Sequence, residues 1–147
     1  IWALAMRIEK HAEVLREVED EIKAAMEDSE GLIKHQRRLA LMISLGIAEF
    51  VEIYFHKLGI IKEGSRIKHE WFKRNSIKEM LSNQIVKPLD SVKRIDEILS
   101  ISSRIEEKRN DLAYSSPLDE DEILREEISS YFEVKGIIQK EVGDIHA

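Results

Sequence analysis

Apolar residues recur at three- and four-residue steps along most of this chain, and the elements they predict are helices. From 2 to 28, Leu4, Ile8, Leu15, Val18, Ile22 and Ala25 form one apolar stripe. The segment "DSEG" (28 to 31) holds no periodic apolar residue and ends on a glycine suited to stopping a helix. A second helix is predicted over about 31 to 58, closing at Gly59. Each helix would be roughly 40 Å long at about 1.5 Å per residue, and the short connection predicts an antiparallel hairpin.

The second helix is apolar around most of its circumference, through Leu39, Ile43, Ile47, Phe50, Val51, Ile53, Tyr54 and Phe55. Its one polar line, within about 60° of Arg38 on a helical wheel, holds His35, Arg38, Glu49, Glu52 and His56. Leu41, Met42 and Leu45 interrupt that line. Such a helix needs neighbours on most sides. Either it is the centre of the monomer, or a second subunit covers one face.

After the loop "GIIKEGS" (59 to 65), Ser65 is a candidate N-cap for a third helix over 66 to 86, with Ile67, Trp71, Ile77, Leu81 and Ile85 inward. Pro88 can open a fourth helix, striped by Val92, Ile95, Leu99, Ser102, Ile105 and Leu112, with Arg109 close to the stripe. In "SSPLDEDE", Ser116 is an N-cap candidate, Pro117 suits the first turn and Asp119 stands at capping-box spacing. A fifth helix over 117 to 142 turns Leu124, Ile128, Tyr131, Val134 and Ile138 inward. The predicted fold is all-α: an antiparallel up-and-down bundle of about five helices in a single domain, residues 1–147.

Composition narrows the chemistry. With no Cys among 147 residues, disulfides, thiolate metal sites and a cysteine nucleophile are excluded, which fits a cytoplasmic protein. No signal or membrane segment is expected: "IWALAM" is short, and Glu49 and Glu52 would be costly in lipid. The chain opens on Ile1 rather than Met, as a sequence lacking its native start would. The net charge of −6 argues against nucleic-acid binding over the whole surface. Residues 57 to 78, however, carry seven Lys and Arg against Glu63 and Glu70, a local +5 that leaves −11 for the remainder. There Lys68, His69, Lys73 and Arg74 surround Trp71 and Phe72, so phosphate neutralisation is a candidate role, joined by Lys108 further on. The two aromatics are expected in the core rather than stacked on bases.

No metal site or cofactor is expected. Glu49, Glu52 and His56 do not form the Glu-x-x-His pattern of carboxylate-bridged bundles, and they read as a polar stripe at a bundle surface or subunit interface. His11, near the first stripe, is expected to bond a carbonyl at the core edge, and His146 lies in the tail. Six scattered glycines form no phosphate-binding loop.

One stretch, "RNDLAY", stands out at the end of the fourth helix. With the five-helix layout it resembles the HEPN superfamily, the higher eukaryotes and prokaryotes nucleotide-binding domains. The signature there is an Arg, commonly followed by Asn, and then a His after four to six further residues. Arg109 and Asn110 match, and the spacing matches with four residues between, but Tyr114 stands where the family has His. The resemblance implies a homodimer in which two such motifs face one cleft, a metal-independent ribonuclease site in active members. It also implies toxin-antitoxin or defence settings, with a nucleotidyltransferase as partner, or non-catalytic modules that bind RNA, nucleotides or proteins.

The active site implied is therefore Arg109, Asn110 and Tyr114. Arg would stabilise an anionic phosphorane, and His would move a proton near neutral pH. Tyr titrates near about 10, so Tyr114 is a poor base and the site is expected to be catalytically degenerate unless another histidine substitutes. His69 is the candidate for that role.

Overall fold

The structure, a computed structural model, describes residues 2–145; the side chains of residues 2–7 and of Asn75 lie outside that description, as does His146. Among the described residues there are five α-helices and no strand: α1 (Trp2–Glu27), α2 (Gln36–Lys57), α3 (Ile77–Met80), α4 (Ile95–Tyr114) and α5 (Glu122–Val142). Three 3-10 turns, Leu32–His35, His69–Asn75 and Leu89–Ser91, lie between them.

Side-chain pairs show the antiparallel order. Between α1 and α2, His11 meets Glu49 and Glu21 meets Arg38. Along α2 and α4, Tyr54 meets Lys93, Ser44 meets Glu106 and Gln36 meets Leu112. Lys93 reaches Glu141, and Lys108 reaches Glu126, between α4 and α5. In every case one number rises as the other falls, so successive long helices run up and down.

α2 is the central helix, packed by α1, α4 and α5. Ile43, Ile47, Phe50, Val51, Ile53, Tyr54 and Phe55 are all but completely buried. Each such side chain is worth about 1.5–3 kcal/mol, so this helix carries the largest share of the core. Its all-round apolarity is satisfied within one chain and needs no second subunit. The run Leu32–Lys57 is long and apolar enough to cross a membrane, but its apolar surface faces the other helices. Leu41 and Met42 stay half-buried and Leu45 exposed, beside a shallow groove against α1. α2 stops as predicted at Gly59, whose φ of 67° lets the Ile60 N–H turn back onto the Phe55 carbonyl at 2.8 Å.

The predicted third helix over 66 to 86 does not form as one helix. Its backbone breaks at Lys73 (ψ 131°) and Arg74 (φ 55°), and only the single turn α3 is α-helical. Ile85 instead pairs with Ile61 in an isolated antiparallel bridge, and Val86 N–H reaches Ile60 O at 2.8 Å. The break falls between Trp71 and Ile77, a six-residue step that a 3.6-residue period cannot place on one face.

Two helix starts also move. α4 begins at Ile95 rather than beside Pro88, after Arg94 takes a left-handed φ of 58°. α5 begins at Glu122, so Ser116 and Pro117 are linker rather than cap and first turn. Gln36 explains that delay. Its amide takes the Leu118 N–H at 2.9 Å and donates to the carbonyls of Leu112 and Ser116, tying the linker to the start of α2.

The polar line of α2 is largely interior. His35, Glu52 and His56 are buried, not arrayed at the surface or an interface. His35 clasps the α1–α2 turn, with Nδ1 3.0 Å from Glu21 and Nε2 2.8 Å from Asp28. The bond to Glu21, then that to Asp28, raises the His35 pKa over the opposing effects of burial and Arg38. The clasp therefore contributes fully at pH values below the ordinary histidine range, and is lost as pH rises through the raised pKa. His35→Gln should cost about 1–2 kcal/mol in urea melts at pH 5.5 and clearly less at pH 9. An equal cost at both pH values would show that the imidazolium is not what holds the turn.

Candidate nucleic-acid interface

The site begins with a glutamate on an apolar stripe. On α4, Glu106 lies between Ile95 and Leu99 on the helical wheel, on the face that packs inward. It is buried, and both carboxylate oxygens are used: Ser44 Oγ of α2 donates to Oε2 at 2.8 Å, and His69 Nδ1 donates to Oε1 at 2.8 Å. A carboxylate only accepts, so Nδ1 carries the proton in this bond, and Nε2 is the ring nitrogen that Glu106 leaves unengaged. The His69 side chain is 31% exposed, enough for Nε2 to meet a ligand; exposed Glu70 lies 3.6 Å away.

Arg109 and Asn110 follow Glu106 by three and four residues, so all three share one side of α4, with neighbouring Cβ atoms about 5–6 Å apart. Arg109 Nη1 donates to Asn110 Oδ1 at 2.9 Å. Its Nε is buried without a partner, and no carboxylate pairs with Arg109 among the described residues. Nor does Arg109 cap its helix. That work falls to Arg37, whose Nε donates to Ala113 O at 3.0 Å, and to Gln36 on Leu112 O. Tyr114, one turn beyond Asn110, is 70% exposed, so its ring is not a core residue.

His69 arrives on this face because the preceding loop is pinned to α2. His56 Nε2 donates to Ser65 O at 2.9 Å, and Ile67 N–H donates to Glu52 Oε1 at 2.7 Å. The same 3-10 turn leaves Lys68, Lys73 and Arg74 exposed, and none is ion-paired among the described residues. Its aromatics behave as expected: Phe72 is buried and Trp71 packs half-buried against the core. Lys108 does not join them. It lies about 200° around α4 from Glu106 and faces α5, 3.8 Å from Glu126.

Sequence reasoning missed Glu106 and Ser44. The legible signal was an acid at an inward position of the fourth stripe, which has to find a partner when buried. His11 does not bond a carbonyl: its ring lies between Glu49 and Glu52.

The arrangement can do two things chemically. Exposed cations and Arg109 can hold a phosphate, and a histidine oriented by a carboxylate can move a proton. No known protein-family model, curated protein or solved structure matches the chain, so the reading of this face rests on its own residues.

Proposed function

We propose that this protein is a HEPN-like helical module that binds RNA or a nucleotide at the C-terminal end of α4, where Arg109, Asn110 and Tyr114 lie. The observation that supports the reading is the convergence of Arg109, unpaired with any carboxylate among the described residues, and Glu106-held His69 on one side of α4. Lys68, just before the 3-10 turn that carries His69, and Lys73 and Arg74 within it add exposed cations, whose pairing with phosphates releases counterions. The homodimer implied by the resemblance belongs to the same reading, and sedimentation equilibrium measures it directly.

Arg109→Ala should weaken binding of a fluorescein-labelled single-stranded RNA about tenfold, the scale of about 1.4 kcal/mol, while circular dichroism keeps its helical signal. No binding by the wild type at 50 mM salt, or equal binding by the variant, would remove the proposal.

His69 favours a second reading, in which the site cleaves RNA despite Tyr114. His69 Nε2 would take the proton of a 2′-hydroxyl as the 2′-oxygen bonds to phosphorus, Glu106 would hold the imidazole, and Arg109 would stabilise the phosphorane. The P–O5′ bond then breaks to a 2′,3′-cyclic phosphate, and the 5′-oxygen leaves with a proton from solvent. Cleavage in EDTA that disappears in His69→Gln, with RNA binding retained, supports this reading. Intact RNA with the wild type leaves the binding module alone.

A further inference from the structure

A different set of donor atoms meets where α1 crosses the second half of α2. Glu49 and Glu52 stand three residues apart on α2 and turn to the same side, toward His11 of α1. The side chains of His11, Glu49 and Glu52 are 14%, 18% and 4% exposed. His11 Nδ1 bonds Glu49, and its Nε2 lies 2.5 Å from Glu52 Oε2. That second approach lacks hydrogen-bond geometry, and both Nε2 and Oε2 are buried without a hydrogen-bond partner among the described residues.

Charge accounts poorly for this cluster as it stands. Glu52 Oε1 is taken by the Ile67 N–H at 2.7 Å, which leaves Oε2 facing His11. Neither Glu49 nor Glu52 pairs with a Lys or Arg among the described residues. Nearby His56 already donates to Ser65 O. Two carboxylates and one neutral imidazole carry −2, and even an imidazolium leaves −1. Negative charge this deep, with no Lys or Arg to balance it among the described residues, is costly to bury.

We propose that His11, Glu49 and Glu52 bind a divalent first-row transition-metal ion. A dication cancels the two carboxylate charges and gives the orphaned Glu52 oxygen and imidazole nitrogen a shared partner. The three donor atoms lie within 4.8 Å of one another, close enough that small side-chain rotations bring all three onto one ion with ligand bonds of roughly 2 Å. One nitrogen and two carboxylates suit Zn²⁺ or Mn²⁺, whereas Mg²⁺ and Ca²⁺ take oxygen ligands. The ion clamps α1 to α2. Through Glu52 and Ile67 it also steadies the loop that leads to His69.

The test uses protein stripped with EDTA and dialysed, titrated calorimetrically with ZnCl₂, MnCl₂ and, as a control, MgCl₂. Zn²⁺ should bind at one ion per chain with Kd at or below about 10 μM, and Mg²⁺ should not compete. His11→Ala and Glu52→Gln should each weaken Zn²⁺ at least tenfold. Glu49→Gln, at the half-buried rim, serves as the second variant if either of those fails to fold. Co²⁺ should give visible ligand-field absorption in the wild type that His11→Ala loses. No stoichiometric Zn²⁺ uptake, or unchanged affinity in His11→Ala and Glu49→Gln, would overturn the proposal and leave an imidazolium bridging two glutamates.

Discussion

Gly46→Ala should destabilise this protein although it improves the helix, and Gly46→Val should destabilise it severely. Alanine in a helix interior is favoured over glycine by about 1 kcal/mol. A Cβ at position 46, however, would lie 2.6 Å from Tyr131 Cε1 and 3.1 Å from Val18 Cγ1. Tyr131 has no room to yield. It is fully buried, its hydroxyl donates to Glu19 at 3.0 Å, and its ring centroid sits 5.4 Å from Phe50 and 5.1 Å from Phe132. Burial keeps its phenol protonated, with the Glu19 charge acting in the same direction, so that donor persists.

Overpacking of this kind costs about 1–3 kcal/mol, which exceeds the propensity gain. We expect a net loss of about 1 kcal/mol for Ala and about 3 kcal/mol for Val, the latter lowering Tm by roughly 10 °C. Gly136 on α5 is the internal control. A Cβ there meets nothing within 4 Å, so Gly136→Ala should stabilise by up to about 1 kcal/mol. Opposite signs in thermal melts are the expected result. Two stabilising alanines would mean that α1, α2 and α5 do not meet this closely at Gly46.

Glu127→Gln should make the protein more stable above neutral pH and leave it nearly unchanged near pH 4.5. Glu127 lies on α5, buried against α4, with Oε1 lacking a hydrogen-bond partner. Burial raises its pKa to about 7; Lys108 and Arg104 of α4 pull the other way, and Glu126 adds to the rise. The folded chain therefore keeps this proton at pH values where the unfolded chain has released it. A raised carboxyl pKa makes stability fall as pH climbs from about 4.5, with the full penalty reached above the folded value. The shift corresponds to about 3 kcal/mol at pH 8 and above. Gln keeps the neutral shape without the ionisation, so the variant's advantage in urea melts should grow from pH 5 to pH 8. An advantage constant across that range would show that Glu127 ionises normally.

Much of this molecule could be foreseen from local pattern. The stripe from Leu15 to Ala25 predicted α1, and a helix apolar on most sides predicted either the central place that α2 holds or cover by a second subunit. Gly59 ended α2 where a left-handed residue was needed. These are short-range properties: helical periodicity and glycine's access to positive φ are decided within a few residues. The candidate site was half legible. Arg109, Asn110 and the cationic run could be read directly, and His69 was singled out without a partner.

Packing decided the rest. The 66 to 86 segment kept apolar residues at nearly helical spacing, yet the backbone bonds of Gln84 and Val86 at its end went to the 60–62 strip, and its histidine to Glu106, 37 positions away. Ser116 looked like a helix cap until Gln36, 80 residues earlier, claimed its carbonyl and delayed α5. His11 looked like a core-edge histidine until α2 set two glutamates around it. Each depends on which polar group another helix delivers once the core has closed. A buried donor or acceptor must be paired, and periodicity along a chain shows which face turns inward but not what waits there.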